Sequence, residues 1–132
     1  MVVTRGSRSA GGSNGSPLAC AISTTARDAR GIHADEITIG DVLKKQGYRT
    51  KIVGKWHVGD QPEFLPTNHG FDEYYGLPYS NDMGIQGKEE HRKKRKPLPL
   101  LRNDEVIQQQ PDQRGLTERY MEECVRFIRD NS

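Results

Sequence analysis

This sequence has few apolar residues for its length, and that scarcity limits the core it can form alone. Hydrophobic residues make up 33% of the 132 residues and charged residues 29%, whereas ~45–50% apolar residues are usual in a globular domain. Two interpretations follow: a polar domain rich in loops, or one portion of a larger domain whose other parts supply the core. We favour the second and expect the chain to be truncated.

The sequence lacks the features that several classes of protein function require. No apolar run approaches the length of a membrane span, and the net charge is +2, so we expect neither a membrane nor nucleic acid as a partner. The two cysteines, Cys20 and Cys124, have no neighbours at metal-ligand or redox spacing. No apolar segment near the N-terminus marks a secretory signal, so the sequence leaves the compartment undefined.

The N-terminal segment has little that could be buried. Gly, Ser, Ala, Thr and Arg dominate residues 1–31, and Ser7 to Ser16 has almost no apolar side chain. Such composition is typical of disorder. We therefore expect residues 1–35 to be a flexible or unrelated segment.

The first helix is predicted over Thr38 to Gln46. Thr38 suits the N-cap position, and Asp41 follows at the third helical position, where an acid favours the helix start. Gly47 suits the residue just beyond the helix, and Tyr48 to Val53 is predicted as a strand. A helix that leads into a strand through one glycine is typical of an α/β fold.

A second helix is predicted over Leu116 to Arg129, with Thr117 as its cap. Glu122 and Arg126 have the spacing of a favourable pair on the helix surface. Four residues at helical spacing predict the face turned to the core: Tyr120, Cys124, Phe127 and Ile128.

Two other segments are interpreted as loops. The aromatic residues between His69 and Gly76 predict a loop pinned to the domain by packing. His91 to Lys96 is a block of basic residues, which could serve a small nucleic-acid-binding module. No aromatic residue is interleaved there, so we favour a solvated basic insertion near residues 86–97.

One short stretch places a cation beside an imidazole. Lys55 and His57 follow the predicted strand, and Trp56 separates them. Residues i and i+2 of an extended chain share a face, so both side chains are predicted to project together while Trp56 turns away to pack. A lysine beside a histidine suits the binding of a small oxyanion.

The residues around this pair resemble a known family. Two segments carry the resemblance: Gly47-Tyr48-x-Thr50-x-x-Val53-Gly54-Lys55-Trp56-His57, and Pro66-Thr67-Asn68-His69-Gly70-Phe71-Asp72-Glu73-Tyr74-Tyr75-Gly76 followed by Leu77-Pro78-Tyr79-Ser80-Asn81-Asp82. They are similar to the formylglycine-dependent sulfatases, especially the arylsulfatase A-like and N-acetylgalactosamine-6-sulfatase-like members. The similarity extends from about Glu36 to the C-terminus, so residues 36–132 are predicted to be a partial sulfatase domain.

The resemblance implies a fold and a set of roles. It implies a fragment of an alkaline-phosphatase-like α/β domain, with few strands and two main helices, from a sulfuric ester hydrolase acting on an aryl sulfate or a sulfated sugar. Lys55 matches the lysine that contacts the sulfate group, and His57 the histidine that bonds the formylglycine hydrate and assists release of sulfate. Ser80 matches an active-site serine. Without the resemblance, a surface lysine, a capping histidine and a turn-forming serine explain these positions as well.

The resemblance also implies cofactors whose ligands this sequence does not contain. Complete relatives use calcium and a formylglycine made from the cysteine of a Cys-x-Pro-x-Arg motif, and they are periplasmic, secreted or lysosomal. Cys20 is followed by neither the proline nor the arginine, so we expect it to be an inert thiol. We predict no metal ligands in this chain and no turnover by the chain alone. The alternative is a non-catalytic remnant that binds sulfated glycans or a partner.

Overall fold

The computed structural model describes residues 1–5, 30–85 and 95–132. Five strands form one mixed sheet in chain order: β1 (Val2–Arg5), β2 (Tyr48–Lys55), β3 (Glu73–Leu77), β4 (Pro99–Arg102) and β5 (Glu105–Gln109). Strands β2 and β3 are parallel, and the other neighbouring pairs are antiparallel. Helix α1 (Ile39–Lys45) precedes β2, and helix α2 (Leu116–Asp130) ends the described chain. The predicted α/β class is confirmed.

Helix α1 begins as its sequence predicts. The Thr38 hydroxyl accepts a hydrogen bond from the Asp41 backbone N–H at 3.2 Å, and the Asp41 carboxylate accepts one from the Thr38 N–H at 2.8 Å. This capping box satisfies two backbone donors of the first turn. The helix ends before Gly47, whose φ of +80° is readily adopted by glycine, and β2 follows at once.

Strand β3 corrects the interpretation of residues 69–76 as a loop. Glu73–Leu77 pairs with β2 in parallel, and the side chains of Tyr74 and Tyr75 are both buried. The two tyrosines contact different apolar clusters, because successive side chains of a strand point to opposite faces. The aromatic residues therefore fill both faces of a central strand, and Phe71 packs in the segment just before it.

Helix α2 begins at Leu116, as predicted, but its cap differs from the predicted one. A 3₁₀ turn at Gln113–Gly115 leads into Leu116, and the Asp112 carboxylate accepts from the Arg114 N–H of that turn. The prediction of Thr117 as the cap is wrong, because Thr117 lies inside the helix and Gly115 holds the N-cap position.

The buried face of α2 agrees with the predicted face at Phe127, and Tyr120 and Cys124 are partly buried, but Ile128 and Glu123 depart from the prediction. Leu116, Glu123 and Phe127 are buried, while Ile128 is 46% exposed. Arg126 binds Glu123 and not Glu122. Sequence periodicity missed Glu123, whose carboxylate is buried because it has cationic partners on the sheet.

The N-terminal residues Val2–Arg5 form β1 and pair with β2. Several sequence predictions lie outside the described residues: the disorder of Ser7 to Ser16, the inert thiol of Cys20, and most of the basic insertion at residues 86–97. The boundary at residue 35 stays a prediction.

Candidate functional site

The parallel pairing of β2 and β3 brings two loops to one edge of the sheet. Lys55 is in register with Leu77. Beyond that point the Trp56 N–H donates to the Leu77 carbonyl at 3.0 Å, and the His57 N–H donates to the Pro78 carbonyl at 2.9 Å. The residues that follow each strand therefore leave the sheet side by side at its carboxyl edge, where open α/β sheets bind ligands.

Lys55 holds an exposed position at this edge. It forms no salt bridge with any residue in the described ranges. The pKa of Asp82 is lowered mainly by hydrogen bonding from Ser80, and the positive charges of Arg95 and Lys55 lower it further. A lysine with this environment keeps its ammonium group accessible to an anion from solvent.

His57 is held in an uncommon backbone conformation. Its φ is +70°, in the left-handed region that residues other than glycine seldom adopt, at a cost on the order of 1 kcal/mol. Its N–H bond to Pro78 helps to fix this conformation. The side chain is partly exposed and is not sealed in the core. Because β2 ends at Lys55, the predicted common direction of the Lys55 and His57 side chains stays a prediction.

Trp56, which separates the two candidate residues in sequence, packs against the core, as predicted. Its indole N–H donates to the Phe64 carbonyl at 2.8 Å, and its ring meets the edge of Phe71 at a centroid distance of 6.1 Å. Ile52 and Trp56 pack against the same buried cluster. The partly buried indole thus anchors the backbone from which Lys55 and His57 extend.

Ser80 reaches the same edge from β3, and two residues that the sequence analysis did not assign accompany it. The Ser80 hydroxyl is the main cause of the lowered pKa of Asp82. Arg95 donates to the main-chain carbonyl of Asp82, so a second cation comes close to the site. The sequence offered one signal, since Asp82 follows Ser80 at the spacing of a short turn.

The residues in the described ranges do not fit the cofactors that the resemblance implies. They contain no group of three or more His, Cys, Asp or Glu side chains arranged to hold a metal ion. Cys124 is partly buried in α2, and Val125 and Arg126 follow it, so it does not match the formylglycine motif. Within the described ranges, no donor set therefore fits calcium and no cysteine lies in the formylglycine motif.

The mixed five-stranded sheet and its two helices define the chain as a domain of the α/β class. The sulfatase family model matches residues 5–132, and the chain belongs to the sulfatase family.

Relatives support the same assignment. Mouse (Mus musculus) arylsulfatase G is 32% identical over 123 positions, which cover 77% of this chain and 23% of the relative. Arylsulfatase A of Bos taurus is 41% identical over 120 positions, covering 76% and 22%. N-acetylgalactosamine-6-sulfatase of Rattus norvegicus is 35% identical over 108 positions, covering 75% and 20%. The chain thus spans less than a quarter of the length of these relatives.

A solved structure supports the fold. The crystal structure of Ps i-CgsB matches with a TM-score of 0.58 and 26% identity, covering 80% of this chain and 25% of that chain. This match agrees with a fragment of the alkaline-phosphatase-like α/β fold. Within the described ranges, no helix combines the length and the apolar character needed to cross a membrane.

Proposed function

We propose that this chain forms the sulfate-binding edge of a sulfuric ester hydrolase, which converts a sulfate ester into an alcohol and sulfate. The observation that carries the proposal is the position of Lys55, exposed and without a salt bridge in the described structure, at the carboxyl end of the parallel pair. Membership of the sulfatase family supports the same activity.

Three side chains have roles in this proposal. The Lys55 ammonium attracts the sulfuryl oxygens, whose negative charge grows as the ester bond breaks. The His57 imidazole donates a hydrogen bond near the reacting group and transfers a proton as sulfate leaves. The Ser80 hydroxyl, which lowers the pKa of Asp82, turns its single O–H donor to another oxygen of the sulfate group when sulfate binds.

Calcium and formylglycine are proposed for the complete family enzyme, and the described residues of this chain supply neither. The absence of a fitting donor set in the described ranges limits the roles above to binding, orientation and proton transfer. The catalytic label therefore rests on family membership, and the binding role rests on the geometry of this edge.

Titration with inorganic sulfate tests the binding role. We expect NMR shifts at the amides of Lys55, His57 and Ser80, and Lys55→Ala should weaken sulfate binding about tenfold, the loss of one charge-assisted contact of about 1.4 kcal/mol. Lys45→Ala is the matched control, since Lys45 is an exposed lysine in the last turn of α1, and it should leave the affinity unchanged. Sodium chloride at equal ionic strength separates binding from screening. Equal affinities for the two variants would show that Lys55 does not bind sulfate.

A turnover assay tests whether this chain alone carries out the complete reaction. The purified 132-residue chain is expected to release no 4-nitrophenol from 4-nitrophenyl sulfate, with or without calcium, because the described residues supply neither nucleophile nor metal site. Calcium-dependent release that is lost in His57→Gln would instead place the complete reaction within this chain.

A further inference from the structure

A short turn at residues 80–84 brings a carboxylate to the candidate site. Two backbone hydrogen bonds close this turn: the Met83 N–H donates to the Ser80 carbonyl at 3.0 Å, and the Gly84 N–H donates to the Asn81 carbonyl at 3.1 Å. Asp82 lies in the middle of the turn and is exposed. Its charge is therefore available to act on an anion that arrives from solvent.

Contacts on both sides hold this turn in place. Before it, the Pro78 carbonyl accepts a hydrogen bond from the His57 N–H at 2.9 Å. At its end, Gly84 approaches Leu98 so closely that a Cβ on the glycine would lie 3.0 Å from the Leu98 Cβ. Arg95 donates to the main-chain carbonyl of Asp82 itself. The position of Asp82 relative to the sheet edge is thus set by packing and by backbone hydrogen bonds.

The Asp82 carboxylate lies among the groups that the proposed function assigns to the anion. A hydrogen bond from the Ser80 hydroxyl is the main cause of the lowered pKa of Asp82, and the positive charges of Arg95 and Lys55 lower it further. Two cations and one carboxylate leave these charged side chains with a single net positive charge. One net positive charge balances an anion that carries one negative charge.

We propose that Asp82 is a specificity-determining residue that shifts the selectivity of this edge from dianions toward monoanions. A sulfate monoester carries one negative charge, whereas a phosphate monoester of the same shape loses its second proton near ~pH 6 and is then a dianion. The inference rests on the proposed function, which places the anion at Lys55 and Ser80.

Two physical effects produce this selectivity. Coulomb repulsion from the Asp82 carboxylate is proportional to the charge of the anion, so a dianion is opposed twice as strongly as a monoanion in the same position. The Ser80 hydroxyl also has only one O–H to donate. An anion that takes this donor leaves the Asp82 carboxylate without it, so two negative groups compete for one hydrogen bond.

The same selectivity acts on the product of the proposed reaction. Hydrolysis of a monoanionic sulfate ester by water gives an alcohol, a sulfate dianion and a proton. Asp82 therefore opposes the product more strongly than the substrate, which favours release of sulfate once the ester bond has broken.

Anion titrations of the 132-residue chain at pH 8 and constant ionic strength test this inference. The probes are methyl sulfate, a monoanion, and methyl phosphate, a dianion of the same shape, each followed by NMR shifts of the Lys55 and Ser80 amides. Asp82→Asn should raise the affinity for methyl sulfate about threefold, as expected for one exposed and screened charge pair. It should raise the affinity for methyl phosphate about tenfold, because doubling the interaction energy squares the fold-change.

Two further variants assign the effect to charge. The asparagine of Asp82→Asn keeps an oxygen that can accept the Ser80 hydrogen bond, so the variant removes the charge and retains the acceptor. Arg95→Gln changes the charge in the opposite sense and should weaken methyl phosphate binding more than methyl sulfate binding. The matched control Asp130→Asn removes an exposed aspartate from the end of α2 and should leave both affinities unchanged.

The titrations separate this inference from the proposed function. If Lys55→Ala weakens both anions while Asp82→Asn changes both by the same factor or changes neither, the sulfate-binding edge stands and charge selection by Asp82 is overturned. If neither anion shifts the Lys55 and Ser80 amides of the unsubstituted chain, the sulfate-binding edge is wrong and the selectivity assigned to it is overturned as well.

Discussion

Two lysines four residues apart on β2 have opposite environments. Lys51 is 2% exposed, and its ammonium lies 3.0 Å from both Glu73 and Glu123. Lys55, at the carboxyl end of the same strand, is exposed and has no salt bridge among the described residues. The difference follows from helix α2, which covers the first lysine and leaves the second open.

The covered end forms an ionic network that connects α2 with three strands. Glu123 receives hydrogen bonds from Lys51 of β2, from Arg102 of β4 at 2.5 Å, and from Arg126 of its own helix. Glu73 of β3 binds Lys51 from the other side, and the Lys51 ammonium lies 5.6 Å from the Phe127 ring centre. These ion pairs hold helix α2 on the sheet, whereas the ammonium group of Lys55, at the other end of β2, remains accessible from solvent.

The largest loss of stability is expected from a substitution at Lys51, at the end of β2 that helix α2 covers. Lys51→Ala should lower the free energy of unfolding by about 3 kcal/mol, because it removes the central cation of a buried network and leaves Glu73 and Glu123 without it. Lys55→Ala is the matched control and should change stability by less than about 0.5 kcal/mol. Urea unfolding followed by the fluorescence of Trp56 measures both. Equal losses would contradict the contrast between the two lysines.

A smaller effect should appear as a dependence of stability on pH. Burial alone would raise the pKa of Glu123, but hydrogen bonds from Arg102 and Lys51 outweigh it and lower the pKa to about 2. A carboxyl group with a lowered folded-state pKa stabilises the protein above its unfolded pKa, and this contribution is lost as the pH falls toward the folded value. Stability should therefore fall by roughly 2 kcal/mol between about pH 4.5 and pH 2, after allowance for screening.

Substitutions at two neighbouring positions test whether Glu123 causes this pH dependence. Glu123→Gln should reduce the acid-dependent loss of stability, whereas Glu122→Gln, at the exposed adjacent position, should retain it. Thermal unfolding at several pH values measures the difference. A curve for Glu123→Gln that matches the unsubstituted chain would assign the acid sensitivity to other carboxylates.

The smallest effect concerns the outer member of the network. Arg126 is 52% exposed although it binds the buried Glu123, and Arg126→Gln should cost about 0.5 kcal/mol, as is typical of a surface ion pair. Arg129→Gln, further along the same helix, should change stability by less. A loss for Arg126→Gln as large as that for Lys51→Ala would show that the network depends equally on its exposed members.

Local chemistry in the sequence predicted a part of this structure. The cap at Thr38 and Asp41, the glycine that ends α1, and the strand before Lys55 depend on neighbouring residues, so they could be inferred from short motifs.

Features that depend on distant partners could not be predicted in this way. Glu123 is an acid on the buried face of α2, and its burial requires Lys51 and Arg102, which lie 72 and 21 residues away in sequence. Strand β3 was missed because its aromatic residues serve both faces of the sheet, which hides the alternation typical of a half-buried strand. Asp82 and Arg95 at the candidate site meet through a fold that no single motif specifies.

The parallel pairing of β2 and β3 has a consequence for how such an edge can diversify. Because both strands run the same way, the segments after Lys55 and Leu77 leave the sheet together, opposite the end where Asp72 binds Lys44 and Thr50. Insertions or substitutions in these two segments can change the surface at this edge while the paired strands beneath keep their register. The shape of the edge can therefore vary without a change in the strand pairing that supports it.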